Sequence, residues 1–380
     1  MRVVPPAGPS AMSFTFLDHN ATTPLRPAVI AAMVAVLGEA GNPSSVHAQG
    51  RAARRRVETA RRQVADAIGL PTGGDIIFTS GGTEANHLAL RGLKTEGRIL
   101  RSAIEHDCVR AAVPEAEIIP VTSQGLVDLA ALERLLAGGA ALVSVMAANN
   151  ETGVIQPIAE VARLAHAAGA LVHCDAIQIV GKATFDMAAL GVDLATVSAH
   201  KLGGPQGMAA LALAPKVPVR ALTTGGGQEK GYRAGTENVA GIVGFGLAIE
   251  AAVAELDAYQ RLAIMRDWLA ARLLAIDPQA IVFGADAPRV ANTLSIAMPG
   301  VKAETQVMAF DLAGIGLSAG SACSSGKVRT SHVLTAMGVP PEVAQSAIRI
   351  SLGRDTNDTE IDRMIEAWAT LRTRTARSAA

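Results

Sequence analysis

Aromatic side chains are scarce in this sequence, with two Trp, two Tyr and seven Phe among 380 residues. Hydrophobic residues still make up 49% of it, alongside 37 glycines. That balance excludes a disordered or fibrous chain and suits a soluble, tightly packed α/β enzyme. Net charge is also missing: Lys and Arg number 34, and Asp and Glu number 34. Nothing in the charge balance therefore points to a nucleic-acid or membrane partner. Cysteine is confined to Cys108, Cys174 and Cys323. An odd, widely spaced set without a CxxC pair is no disulfide framework, and a reducing cytoplasm is the expected location. No uncharged apolar run of about 18 residues occurs, so no membrane span is expected. Residues 1–12 hold one arginine and three prolines but no signal-type apolar stretch. They read as a disordered leader, with Met12 as an alternative start.

The length allows two domains of roughly 100–200 residues each and a sizeable core. Between Asp75 and Leu213 short apolar runs alternate with helical stretches. Strands are predicted at Asp75–Thr79, Arg98–Ala103, Ala116–Pro120, Ala141–Met146, Ala170–Cys174, Leu194–Val197 and Met208–Leu213. Helices are predicted at Glu84–Gly92, Leu129–Leu136 and Ile158–Ala168. Such alternation predicts a mostly parallel sheet covered by helices on both faces. One long helical segment, Val239–Ile276, leads into a different texture of extended pieces and helices. The expected division is a large domain over 28–257 and a smaller α/β domain over 258–380, with 13–27 packing on the smaller one. The stretch Arg51–Ile68 carries six arginines among apolar residues at helical spacing, and reads as a solvated helix face.

Ligands of such sheets bind beyond the carboxyl ends of the strands. The residues there carry the chemistry. After Asp75–Thr79 comes Ser80-Gly81-Gly82-Thr83-Glu84 at a helix start, which suits either an anion cup or a plain cap by Ser80 or Thr83. Glu105-His106-Asp107-Cys108 follows the next strand; read as extended chain, its alternate side chains point to opposite faces and cannot converge on one metal. The same holds for His173-Cys174-Asp175. His106 suits ring stacking or proton movement instead. Asp175, ending an apolar strand, needs a cationic partner; either an ordinary ion pair or the protonated ring nitrogen of pyridoxal phosphate (PLP) would serve. Lys201 lies where a strand runs into Leu202-Gly203-Gly204-Pro205, the setting of an ordinary loop lysine or of an imine-forming one. Cys323 stands in eleven residues rich in Gly, Ser and Ala, 316–326, and favours a nucleophile over a buried thiol.

Taken together, these residues make the chain resemble the cysteine desulfurases of the nitrogen-fixation and iron–sulfur-assembly type, PLP enzymes of the class-V aminotransferase family. The resemblance runs from about Asp18 to the C-terminal helix. It rests on Asp18-His19-Asn20-Ala21-Thr22-Thr23-Pro24, Gly41-Asn42-Pro43-Ser44-Ser45, Ser80-Gly81-Gly82-Thr83-Glu84, Asn149-Asn150-Glu151-Thr152-Gly153, Ser198-Ala199-His200-Lys201, Arg233-Ala234-Gly235-Thr236-Glu237-Asn238 and Ser321-Ala322-Cys323-Ser324-Ser325-Gly326.

The resemblance implies the PLP-dependent transferase type I fold. It implies Lys201 as the lysine that holds PLP and moves the substrate's protons, Asp175 on the ring nitrogen, Gln178 on the ring hydroxyl and His106 against the ring. Thr83, Ser198 and His200 would bind the phosphate, joined by Thr236 from the second subunit of a homodimer. Asn150 and Arg349 would take the substrate carboxylate, with Asn42 near, and no metal is implied. Cys323 would accept sulfur from L-cysteine as a persulfide and pass it to an acceptor protein, an iron–sulfur scaffold being the expected one. A selenocysteine lyase or another enzyme of the family would use the same lysine. Cys108 departs from the pattern, standing where a small or apolar residue is expected, and reads as core.

Overall fold

The computed structural model describes residues 14–320 and 330–379. Seven strands form the central sheet, in the order Asp75–Thr79, Ala209–Leu213, Leu194–Ser198, Leu171–Asp175, Leu142–Ser144, Ile99–Ser102, Glu117–Ile119. Four neighbouring pairs are parallel; only Ala209–Leu213 runs against both of its neighbours. Leu194–Ser198 and Ala209–Leu213 are buried at every position. Strands covered on both faces have no solvent side, so they read as continuous apolar runs rather than alternating ones.

Helices fill both faces. On one, Ala48–Ala67, Leu129–Leu136, Ile158–Ala167 and Val239–Ala254 bring Val57, Leu132, Val161 and Phe245 onto the sheet. On the other, Gly82–Gly92 and Asp107–Ala112 bring Leu88 and Val109. Phe245 is fully buried, with its ring 6.2 Å from that of Phe78. Truncating it to alanine is expected to cost about 3–5 kcal/mol.

Three expectations need correction. The predicted helix Val239–Ile276 is three helices, Val239–Ala254, Leu256–Tyr259 and Arg261–Ile276, and the long pieces are bent by 68°. The apolar pattern continues through the break, so periodicity alone does not show it. The arginine-rich helix is not wholly a solvated face, because Arg61 is buried. Its guanidinium grips Glu229 through two hydrogen bonds of 2.8 and 3.0 Å and lies 5.0 Å from the Phe78 ring. The stretch after Glu105 is not extended, since His106 caps the helix Asp107–Ala112.

A second sheet, all antiparallel, has the order Ser318–Ala319, Ala347–Ser351, Thr293–Ala297, Ile281–Val282. Arg261–Ile276, Ala303–Leu312 and Asp358–Ala379 cover it, and Phe310 stacks on the buried Trp368 with centroids 6.4 Å apart. The N-terminal strand Thr15–Phe16 pairs in parallel with Ile315–Gly316, beside this second sheet. Among the described residues no single helix is long and apolar enough to cross a membrane.

Candidate active site

The carboxyl ends of five sheet strands, together with the segment after Thr15–Phe16, close around a cavity of about 350 Å³. Each strand end delivers one part of it. Lys201 ends a single 3-10 turn, Ala199–Lys201, that continues the strand Leu194–Ser198. Gly203 then takes φ +80°, a left-handed turn that a side chain would strain, and a Cβ there would also press on Arg26 and the Pro24 carbonyl. The turn aims the lysine back at the rim, where Nζ donates to the carbonyls of Asn20 and Ala21 at 2.5 and 2.6 Å. Burial and the nearby Arg349 guanidinium lower its pKa from 10.5 to about 7, against the pull of Asp18 and Asp175.

Asp175 ends the strand Leu171–Asp175 and is buried. Its carboxylate accepts from Asn86 Nδ2 at 2.8 Å and from the Ile177 N–H at 3.1 Å. The cationic partner that its burial calls for is absent among the described residues: no ion pair reaches it, and burial pushes its pKa up. Gln178, three residues on, lines the same cavity.

The helix Gly82–Gly92 opens with Gly81 as its cap residue and no side-chain cap. Ser80, one of the two expected caps, is instead tied to Glu84 by its N–H and hydroxyl at 2.7 and 2.6 Å. The first amide groups of the helix are thus left without a side-chain acceptor, and Gly82 and Thr83 line the cavity. A Cβ on Gly82 would press on the Ile177 Cδ1 methyl at 2.4 Å and oblige that side chain to rotate. Ser198 and His200 lie on the same wall, His200 with Nδ1 3.2 Å from the Thr22 hydroxyl.

His106 is held by the turn it caps. The Cys108 N–H approaches Nδ1 at 3.2 Å and the Cys108 sulfur lies 3.0 Å from it. Accepting at Nδ1 leaves Nε2 to carry the proton of a neutral ring. Cys108 is buried, and burial raises its thiol to about 12, which keeps it protonated. Arg349, buried at the centre of the strand Ala347–Ser351, bonds Asp18 at 2.7 Å and the Asn150 carbonyl at 3.1 Å. Its Nε is buried and has no partner among the described residues, and Asn150 also lines the cavity.

Of the residues expected at the site, nine line this cavity: Thr83, His106, Asn150, Asp175, Gln178, Ser198, His200, Lys201 and Arg349. Asn42 and Thr236 do not. Asn42 is exposed and caps its own turn, its Oδ1 accepting from the Ser44 N–H; Thr236 is exposed on the surface. Cys323 lies outside the described residues. His173 is a core residue, fully buried on Ser144 at 2.9 Å, and burial lowers it to about 3.

Four residues without a role assigned from the sequence complete the site. Asp18 anchors Arg349, and Asn20 receives Lys201. Lys182, fully buried, reaches Asn20 and Gln178. Glu105 holds the Ser102 hydroxyl and the Met146 N–H at 2.6 and 2.8 Å, bracing two strand ends. Burial raises Glu105 to about 8. A carboxylate after an apolar strand is the signal that flags Glu105; the others are visible only through tertiary contacts.

The model of the family Aminotransferase class-V matches residues 15–364. A cysteine desulfurase of Cereibacter sphaeroides is 44% identical over 93% of this chain and 95% of its own. One from Klebsiella pneumoniae is 42% identical over 93% and 91%. The crystal structure of a NifS-like protein from Rickettsia africae superposes with a TM-score of 0.88 at 38% identity, over 95% of this chain and 99% of that one.

Proposed function

This chain belongs to the class-V aminotransferase family and has the cysteine desulfurase activity of its relatives, and from that premise we propose how its own residues carry the reaction. The cofactor is PLP. One observation carries this: a single cavity brings together an amine lowered to about 7, a buried carboxylate without a cation, and a helix N-terminus left without a side-chain cap. These are what an imine, a protonated ring nitrogen and a phosphate would each meet.

When bound, PLP supplies an electron sink for the substrate carbon that bears the amino group. Asp175 would keep the ring nitrogen protonated, Gln178 would serve the ring hydroxyl and His106 would serve the ring. The amides of Gly82 and Thr83, with Ser198 and His200, would hold the phosphate, joined by Thr236 from the second subunit of a homodimer. Arg349 and Asn150 orient the carboxylate of L-cysteine. The Asp18 contact fixes the guanidinium at the cavity wall.

Lys201 takes the proton from the substrate Cα and later returns one. Its depressed pKa leaves a large fraction of the free amine unprotonated near neutral pH. The Cys323 thiolate attacks the substrate sulfur: a sulfur–sulfur bond forms, the carbon–sulfur bond breaks, and the substrate keeps the electron pair. Reprotonation on carbon gives L-alanine, and Cys323 holds a persulfide for the thiol of an acceptor protein, an iron–sulfur scaffold. A reducing cytoplasm suits an enzyme whose nucleophile is an unpaired thiol.

The purified protein should be yellow. Lys201→Ala should lose that absorbance, and Cys323→Ala should keep it and bind cysteine while releasing no sulfide. A wild type that stays colourless with added PLP ends the cofactor assignment; normal sulfide release from Cys323→Ala moves the nucleophile elsewhere. The dimer is checked by the solution mass of the loaded protein.

A further inference from the structure

We propose that Lys182, a second buried lysine behind the cavity, is a positioning residue that fixes Gln178 as a hydrogen-bond donor toward the cofactor. The inference rests on the reading of Lys201 as the cofactor lysine. Lys182 is 2% exposed, and its Nζ donates to Asn20 Oδ1 at 2.7 Å and to Gln178 Oε1 at 2.5 Å. No carboxylate pairs with it among the described residues. Burial, with Lys201 and Arg349 nearby, pushes its pKa well below 10.5, and two neutral amide oxygens are a weak structural reason for a lysine here.

The orientation follows from donor and acceptor counts. Lys182 donates to both amide oxygens, so Gln178 holds its oxygen toward the lysine. The Gln178 nitrogen is then its other end. One of its two N–H groups meets the Asn20 carbonyl at 3.1 Å, and the second is left for the cavity that Gln178 lines.

Asn20 cannot relax this arrangement. Its Oδ1 accepts from Lys182 and from Asn292 Nδ2, and its Nδ2 donates to the Asn150 carbonyl and to the Thr293 hydroxyl. Its backbone carbonyl accepts from Lys201 and Gln178, and its N–H donates to the Ser351 hydroxyl. Every hydrogen-bonding position of Asn20 is occupied, and a half-turn of its amide would set donor against donor at Lys182.

A glutamine that can only donate favours the ionised form of a ring oxygen. The nearby Arg349 guanidinium acts in the same direction. Lys201 and Arg349 lie near Lys182, as do the imidazoles of His19 and His200, which burial lowers to about 4. Arg26, Glu255, Tyr259 and Arg354 line the crevice behind it. Removing the lysine, or the donor it fixes, raises the affinity of the bound cofactor for a proton.

The test is the pH midpoint of the visible absorbance change in the PLP-loaded protein, with thermal stability measured alongside. Lys182→Met should move that midpoint upward by about one unit, the scale of a lost hydrogen bond to the ionised form. In a Gln178→Met background the same substitution should move it by less than half as much. A merely structural lysine would change the melting temperature and leave the absorbance midpoint where it was, which overturns the proposal. Equal shifts in both backgrounds overturn it too, because the lysine would then act without Gln178. Should Lys182→Met not fold, Lys182→Gln removes the amine and allows the amides to exchange roles; an unmoved midpoint there is equally fatal. A wild type that takes up no PLP overturns the cofactor assignment itself, whereas a loaded wild type with unmoved variants overturns only the role of Lys182.

Discussion

Beside the strand Asp75–Thr79, Arg61 and Glu229 meet in a two-pronged ion pair, closed further by the Phe78 N–H and the Ile76 carbonyl. Beyond the end of the same strand, Lys201 and Asp175 face one cavity without joining. The first pair satisfies itself, so its charge is spent on holding the helix Ala48–Ala67 and residues 228–231 against the sheet. The second is left incomplete, and each member is shifted toward its neutral form. Two buried charges near one strand thus divide by whether the protein supplies the partner. Where it does, the cluster is structural; where it does not, a ligand is expected.

Substitutions break this contrast from opposite sides. The largest effect expected is from Lys201→Ala, which should abolish visible absorbance and sulfide release. It should not lower the melting temperature of the cofactor-free protein, because it removes a disfavoured buried cation; a large loss of stability would put Lys201 in the same class as Arg61. Next is Glu229→Ala, which strands the Arg61 guanidinium and should cost about 3–5 kcal/mol in a denaturant titration. The fraction still folded should desulfurate cysteine normally, and a selective loss of turnover would blur the distinction.

The pH behaviour of Lys201 sharpens it further. In cofactor-free protein its reaction with an amine-modifying reagent should rise through a midpoint near 7 rather than near 10.5. Asp175→Asn should move that midpoint downward, since one of the charges holding the ammonium is gone.

The smallest effect concerns Glu105, whose pKa is raised to about 8 from 4.5. The folded state keeps this proton more tightly than the unfolded state does. Its contribution is full below about 4.5 and is lost as pH rises toward 8. Glu105→Gln should therefore flatten the fall of stability across that window, seen as melting temperatures less dependent on pH.

Much of the sheet is legible in the sequence because strands buried on both faces leave uninterrupted apolar runs. Asp75–Thr79 and Leu129–Leu136 fall at the predicted bounds, and the residues after each strand carry the site. What escapes notice depends on distant partners. Arg61 reads as one of six surface arginines until Glu229, 168 residues away, is beside it. The bend after Ala254 carries no proline or glycine signal. The six-residue helix Asp107–Ala112 is too short for periodicity to reveal, and this undid the extended-chain argument about His106 and Cys108. Lys182 follows a glycine in an apolar stretch, and only the fold shows that Asn20 waits for it.

Asn20 has a consequence for the order in which the molecule is assembled during synthesis. Its contacts all lie far downstream, at Lys182, Lys201, Asn292, Thr293 and Ser351. Asp18 likewise waits for Arg349, 331 residues downstream. Contacts of such separation form late, after loop closure has been met by other interactions. The central sheet can gather while the chain is still emerging, but the floor beneath Lys201 needs the second sheet. The nascent chain therefore carries its amine and its carboxylate well before it can orient them, and the reactive site becomes complete only as the strand Ala347–Ser351 is delivered.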